Sequence, residues 1–183
     1  MKLEKKFPLD IVIPVFNEGE SIIKVIELIN KYVITKCRII ICYDHDKDTS
    51  VHAIKQFQPQ YPIELVKNFK SGPCEAVKTG FKVSNSECVL VYPGDDITNQ
   101  KIIDEMFSRF VQGSEIVAAS RFMPGGSMVG CPIIKSVLVR AASWSLYLLS
   151  SIPIRDASNG FRLFSRKILD TINIESEMGF TYS

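Results

Sequence analysis

Three short stretches of this 183-residue chain concentrate residue types that bind metals and anions. Pro14-Val15-Phe16-Asn17-Glu18, Asp44-His45-Asp46-Lys47-Asp48 and Pro93-Gly94-Asp95-Asp96 each follow an apolar run. Adjacent carboxylates such as Asp95 and Asp96 suit Mg²⁺ or Mn²⁺, hard cations that take carboxylate oxygens together with substrate phosphates. A cation held there would neutralise a departing diphosphate. Farther along, Arg121, Arg140 and Arg162 offer guanidinium forks, which match phosphate oxygens. Each feature also has a plainer reading. Asn, Asp, Gly and Pro build turns, and one aspartate can cap a helix beginning near Asn99. The coincidence of all three stretches at strand ends favours chemistry, because ligands of open α/β sheets bind beyond the carboxyl ends of the strands. Within the second stretch, His45 and Asp46 are expected to be exposed turn residues.

The elements that must position these residues show in the hydrophobic pattern. Residues 10–15, 38–42, 63–66, 88–92 and 115–119 read as strands. Helices alternate with them. Ser21 reads as a cap, followed by Ile22, Val25, Ile26, Ile29 and Val33 at helical spacing. A second helix follows the acidic stretch to about Phe57, and Gly72-Pro73 opens a third to about Val83. Ile102, Ile103, Met106, Phe107 and Phe110 mark a fourth. The alternation implies an α/β layer with a mainly parallel central sheet flanked by helices. It breaks after Gly126. Residues 133–150 read as a long helix with Ile134, Val137, Leu138, Ala141, Trp144 and Leu148 on one side. A strand at 160–164 and a short helix at 167–172 complete the pattern.

Bulk properties narrow the class. Hydrophobic residues are 46% and charged residues 23%, the composition of an ordinary globular domain. A net charge of +2 gives no argument for nucleic acid. The distribution says more: residues 121–167 carry seven Lys or Arg and one acid, Asp156, while the first 120 residues hold 15 basic and 16 acidic residues. That local field attracts phosphate or an anionic membrane surface, or is a solvated basic face. The five cysteines form no CxxC pair, which speaks against zinc and for reduced, mostly buried thiols. The charged N-terminus is unlike a signal peptide, and no run of 18 apolar residues suggests a membrane span. The chain reads as one domain, 1–183, cut short at its C-terminus.

Three segments carry a family likeness. Ile11-Val12-Ile13-Pro14-Val15-Phe16-Asn17-Glu18 resembles the opening strand of family 2 glycosyltransferases. Ala119-Ser120-Arg121-Phe122-Met123-Pro124-Gly125-Gly126 and Asp156-Ala157-Ser158-Asn159-Gly160-Phe161-Arg162-Leu163-Phe164 resemble segments of their dolichol-phosphate mannose synthase and bacterial polyprenyl-phosphate branch. The likeness implies a GT-A-like, Rossmann-type nucleotide-sugar-binding domain and inverting transfer from a GDP- or UDP-linked sugar, with a divalent cation. It implies that Pro14, Phe16, Glu18, Asp44, Gly72 and Asp95 bind the nucleotide-sugar. Asp95 and Asp96 would hold the metal. Arg121, Arg140 and Arg162 would serve the diphosphate or the acceptor phosphate, and Asp95, Arg121 and Asp156 would be catalytic. Pro93 stands where the D-x-D motif has its first Asp, Ile97 where the mannose synthases often carry Gln, and Tyr43 at the first Asp of D-D-x-S.

The acceptor has a chemical argument of its own. A sugar hydroxyl needs a general base, and many members with sugar acceptors place a Glu-Asp pair where this chain reads Gly179-Phe180-Thr181-Tyr182-Ser183. A phosphate acceptor is already largely ionised near neutral pH. This favours a polyprenyl phosphate at the inner membrane face, with the protein cytoplasmic and peripheral. Residues 132–150, with Trp144, Tyr147, Lys135 and Arg140, suit an interfacial helix on anionic lipid, or one packed on the sheet or a neighbouring subunit in a homo-oligomer. Rival readings are transfer to a sugar hydroxyl in surface polysaccharide synthesis, an inactive sugar-nucleotide-binding homologue, and a receiver-like domain phosphorylated at Asp44.

Overall fold

The computed structural model describes residues 7–123, 125–126, 132–149, 155–156 and 158–176. Six strands form one sheet in the order β3-β2-β1-β4-β6-β5. They are β1 (Leu9–Val15), β2 (Cys37–Tyr43), β3 (Ile63–Lys67), β4 (Cys88–Val91), β5 (Ile116–Ala118) and β6 (Arg162–Ser165). Strands β3, β2, β1 and β4 are mutually parallel, and their carboxyl ends share one edge. The apolar runs of β1, β2 and β4 are buried on both faces, as parallel strands covered by helices require, while β3 at the sheet edge is half-buried.

Alternate residues of each strand point to opposite faces and build two cores. On one face, Ile11 and Ile13 of β1, Ile39 and Ile41 of β2, and Leu90 of β4 meet Ile22, Val25, Ile26 and Ile29 of α1 (Ser21–Tyr32), with Ile103 and Met106 of α4 (Ile103–Val111). On the other, Val12, Ile40, Cys42, Val89 and Val91 meet Cys74, Ala76, Val77 and Phe81 of α3 (Pro73–Val83). A short α2 (Thr49–Lys55) follows β2, and α6 (Arg166–Thr171) follows β6. Gly80 explains how closely α3 lies on the sheet: a Cβ there would stand 2.3 Å from Val12 Cγ1.

The structure corrects one sequence expectation, gives a strand order on which the pattern is silent, and removes one reading of the long helix. Ser21 is the first helical residue, not the cap; the cap position is Glu20, and the Ser21 hydroxyl donates to the Glu18 carbonyl at 2.5 Å. Strand β5 does not lie beside β4. The antiparallel β6 inserts between them, pairing Val91 with Arg162 and Ala118 with Arg162. A four-residue apolar run carries no signal of strand direction, so this insertion could not be read from the pattern. Finally, α5 (Ile133–Leu149) does not press an apolar side on the sheet. Ile134, Leu138, Trp144 and Leu148 are 59–77% exposed, and the one buried side chain described in that helix is Ser143. Among the described residues no helix is long and apolar enough to cross a membrane.

Candidate active site

The loop after β1 turns sharply, with Asn17 at φ 57° and Gly19 at φ 59°. Asp48 holds it. Its Oδ2 accepts from Asn17 N at 3.0 Å while Oδ1 caps α2 by accepting from Ser50 N at 2.8 Å. Ser50 Oγ in turn accepts from Glu18 N at 2.9 Å. Asp48 is buried, so within the acidic stretch it is a fastening for the β1 loop. Phe16 is 63% exposed and meets His45 edge-on at a centroid distance of 5.8 Å. His45 is therefore half-buried against an aromatic ring and not the exposed turn residue expected from sequence. Asp46 is exposed and pairs with Lys67.

Asp44 ties the ends of β2 and β3 to the start of α3. Its Oδ1 accepts from Asn68 Nδ2 at 2.8 Å, and its Oδ2 accepts from Gly72 N at 3.1 Å. Gly72 sits at φ 116°, a conformation that favours glycine, with Pro73 pre-set for the first helical turn of α3. Asn68 Oδ1 is buried without a partner among the described residues, leaving one acceptor beside Asp44. No motif marked Asn68; only its place just beyond β3 could have done so.

The β4 end comes to the same edge. A Cβ on Gly94 would lie 3.1 Å from the Pro14 carbonyl, so the 93–96 loop lies directly against the end of β1. Burial, then the charges of Asp95 and Asp48, push the Glu18 carboxyl above its ordinary range. Glu18 and Asp95 are near enough for their charges to interact, a repulsion that a cation would relieve. The two aspartates the sequence pairs are treated differently. Asp95 is exposed, and no described residue donates to its carboxylate. Asp96 closes the turn ahead of the 100–102 helix, whose cap position is Asn99: Oδ1 accepts from Thr98 N at 2.8 Å and Asn99 N at 3.1 Å.

Beyond β5, Arg121 N and Nε donate to Asp156 Oδ2 at 3.0 and 2.8 Å, and Nη2 donates to Oδ1 at 2.7 Å. Asp156 is fully buried. Burial opposes its ionisation, but the Arg121 hydrogen bonds and charge outweigh it and hold the carboxyl below its ordinary range. The Arg121 and Arg140 guanidiniums both lie over the Phe122 ring, at 5.6 and 5.3 Å. This ties the exposed α5 to the 121–123 turn. Arg162 is buried, and its Nε donates to the Asn159 carbonyl at 2.9 Å. Because β6 runs antiparallel, Arg162 begins at the strand edge where β4 ends, and the arginine cluster reaches the edge that carries Asp95. Lys135, Pro124 and the 179–183 stretch lie outside what is described of side chains or backbone.

Among the described residues no group of three His, Cys, Asp or Glu could hold a metal unaided. One or two carboxylates plus diphosphate oxygens is nonetheless a usual Mg²⁺ or Mn²⁺ arrangement, and Asp95 with Glu18 beside it fits that donor set.

Glucosyl-3-phosphoglycerate synthase from Mycobacterium tuberculosis, solved with Mn²⁺, UDP and glucosyl-3-phosphoglycerate, has a similar fold: TM-score 0.69, 15% identity, 96% of this chain and 63% of that one. The same enzyme with Mn²⁺, UDP-glucose and phosphoglyceric acid gives a TM-score of 0.66 at 18% identity, covering 96% and 62%. The dolichol-phosphate mannosyltransferase of Pyrococcus furiosus is 22% identical over 176 residues, 94% of this chain and 50% of the relative. The chain thus spans about half the length of that curated relative. The architecture is the α/β, GT-A type, with a mostly parallel sheet flanked by helices. The model of glycosyl transferase family 2 matches residues 10–172, and the chain belongs to that family of glycosyltransferases.

Proposed function

We propose that this domain moves a sugar from a nucleoside diphosphate sugar to a polyprenyl phosphate, with inversion at the anomeric carbon and a divalent cation at Asp95. The observation that carries the acceptor is the junction of α5 with the arginine turn. An exposed apolar helix bearing Trp144 and Leu148 brings Arg140 onto Phe122, next to Arg121. A lipid phosphate has that same division, an anionic head on an apolar body, and interfacial helices combine apolar, aromatic and basic residues in this way.

The donor would lie across the ends of β1 to β4. Phe16 offers an exposed ring to the nucleoside, two residues beyond Pro14. Asp44 and Asn68 present polar atoms to the base, and Gly72 lets the backbone approach closely. The cation, when bound, offsets the charge of the departing diphosphate. Asp95 would hold it, with Glu18 near enough for the two charges to interact. On the acceptor side, Arg140 meets the phosphate. Asp156 fixes the fork of Arg121 so that Phe122 and Arg140 keep their places. The acceptor oxygen attacks the anomeric carbon in line as the sugar–diphosphate bond breaks. Positioning supplies much of the rate, and no general base is required because the acceptor phosphate is already ionised. Arg162 serves by holding the 159–162 turn.

A thermal-shift screen of GDP- and UDP-linked hexoses, with and without Mn²⁺ or Mg²⁺, tests the donor half. One donor class should raise the melting temperature only with the cation present. Absence of any cation-dependent shift across both classes would contradict it. The cytoplasmic, peripheral membrane location belongs to the same proposal, as does the anionic surface as partner.

A further inference from the structure

The loop after β4 carries two adjacent carboxylates, and one of them is bonded into the loop itself. Asp96 Oδ1 accepts from Thr98 N at 2.8 Å, Thr98 Oγ1 at 3.0 Å and Asn99 N at 3.1 Å. Its Oδ2 accepts from Asn99 Nδ2 at 2.6 Å. An ionised carboxylate offers about four acceptor positions, two to each oxygen; three donors crowd Oδ1, and Asn99 Nδ2 takes one position on Oδ2. The main chain of the same residue is held as firmly. The Asp96 carbonyl accepts from the Tyr92 hydroxyl at 3.1 Å and from Gln100 Nε2 at 2.6 Å. Both holders are themselves fixed. Tyr92 is fully buried with its ring edge-on to Phe161 at 4.9 Å, and Gln100 is 2% exposed.

A metal at Asp96 would meet an Oδ1 already holding three donors and would compete with Asn99 Nδ2 at Oδ2. Asp95, one residue earlier, needs no such exchange. We propose that Asp96 is a positioning residue and not a metal ligand. With Tyr92 and Gln100 it locks the turn, so that Asp95 alone presents its carboxylate beside Glu18. Gly94 completes the arrangement by letting the turn lie against the Pro14 carbonyl. The cation then has one firmly placed aspartate, and the remaining coordination falls to diphosphate oxygens, Glu18 and water. This rests on the reading of Asp95 as the donor's metal residue.

Three variants of the full chain decide it: Asp95→Asn, Asp96→Asn and Asp96→Ala. Two quantities are measured: amide hydrogen exchange at Thr98 and Asn99 without ligand, and Mn²⁺ affinity in the presence of UDP or GDP. Asp96→Asn retains the Oδ1 acceptor and should keep both the amide protection and the Mn²⁺ affinity close to wild type. Asp96→Ala should speed exchange at Thr98 and Asn99. It should also weaken Mn²⁺ by roughly 10- to 100-fold, the cost of losing a residue that orients a ligand. Asp95→Asn should leave exchange unchanged and weaken Mn²⁺ at least as much. If Asp96→Asn loses Mn²⁺ as fully as Asp95→Asn while its amides stay protected, Asp96 is a ligand and the proposal is wrong. Unchanged exchange in Asp96→Ala overturns it as well. If wild-type protein binds neither nucleotide with Mn²⁺, the donor reading fails and takes the purpose of the lock with it, while the exchange data still report whether the lock exists.

Discussion

At the scale of residues, buried ion pairs fix both ends of the sheet. Asp156 sits under the arginine turn, and Asp10 lies at the opposite end, where Arg38 Nε and Nη2 grip its two oxygens at 3.0 and 2.7 Å. Ser84 and Asn85 add donors to Asp10 Oδ2, and Arg38 reaches on to Glu64. Arg38→Met should cost about 3 kcal/mol or more, because it strands Asp10 as a buried, uncompensated charge. Urea unfolding followed by circular dichroism measures it, and a loss under about 1 kcal/mol would show that the pair carries little. Burial pushes the carboxyls of Asp10 and Asp156 upward, but the arginine partners prevail and both end below their ordinary value. A depressed folded-state pKa stabilises above the unfolded pKa, and that contribution is lost as pH falls through the folded one. Stability should therefore be flat near neutrality and drop below about pH 4, where unfolded aspartates begin to bind protons. Arg38→Met should flatten the acid limb that Asp10 contributes. None of this network was visible in the sequence, where Asp10 reads as the first residue of an apolar strand and Arg38 as the first of another. Asp44 and Gly72 were found separately, through turn chemistry and likeness. Their hydrogen bond depends on the register of β2 against β3, which no local pattern encodes.

Among the elements, α3 is fitted most tightly. Gly80 faces Val12 of β1 so closely that Gly80→Ala forces the helix outward, and its N-terminus at Gly72 with it. A destabilisation of about 1–3 kcal/mol is expected from overpacking, more than offsetting the better helix propensity of alanine. Chemical denaturation of the variant tests this, and a gain in stability would mean the contact relaxes freely. Val12→Ala in the same chain should restore part of the loss. Strands β1 to β4 and helices α1, α3 and α4 were legible because long periodic runs and Gly-Pro or acidic boundaries agree with their buried faces. The place of β6 was not. Its antiparallel pairing brings Arg162 to the edge where β4 ends. The length of α5 was legible too, but not the exposure of its apolar residues, since periodicity identifies an apolar side without saying what covers it.

For the whole molecule, the account makes α5 a surface that meets lipid. Binding of the chain to anionic vesicles should fall as salt rises, because basic residues near the surface supply the attraction. Arg140→Glu should weaken binding further while leaving the circular dichroism spectrum unchanged. Indifference of wild-type protein to anionic vesicles at low salt would remove the membrane-facing role of this helix. The central claim concerns transfer itself and is best tested by one assay. Purified protein, Mn²⁺ and the donor selected by thermal shift are incubated with a polyprenyl phosphate in detergent, with a free sugar and phosphoglyceric acid as competing acceptors, and products are read by mass spectrometry. The expected product is glycosylated polyprenyl phosphate of inverted anomeric configuration, abolished by chelation of the metal and by Asp95→Asn. Transfer to the free sugar or to phosphoglyceric acid with none to the lipid would contradict the acceptor, and undiminished turnover in Asp95→Asn would contradict the site.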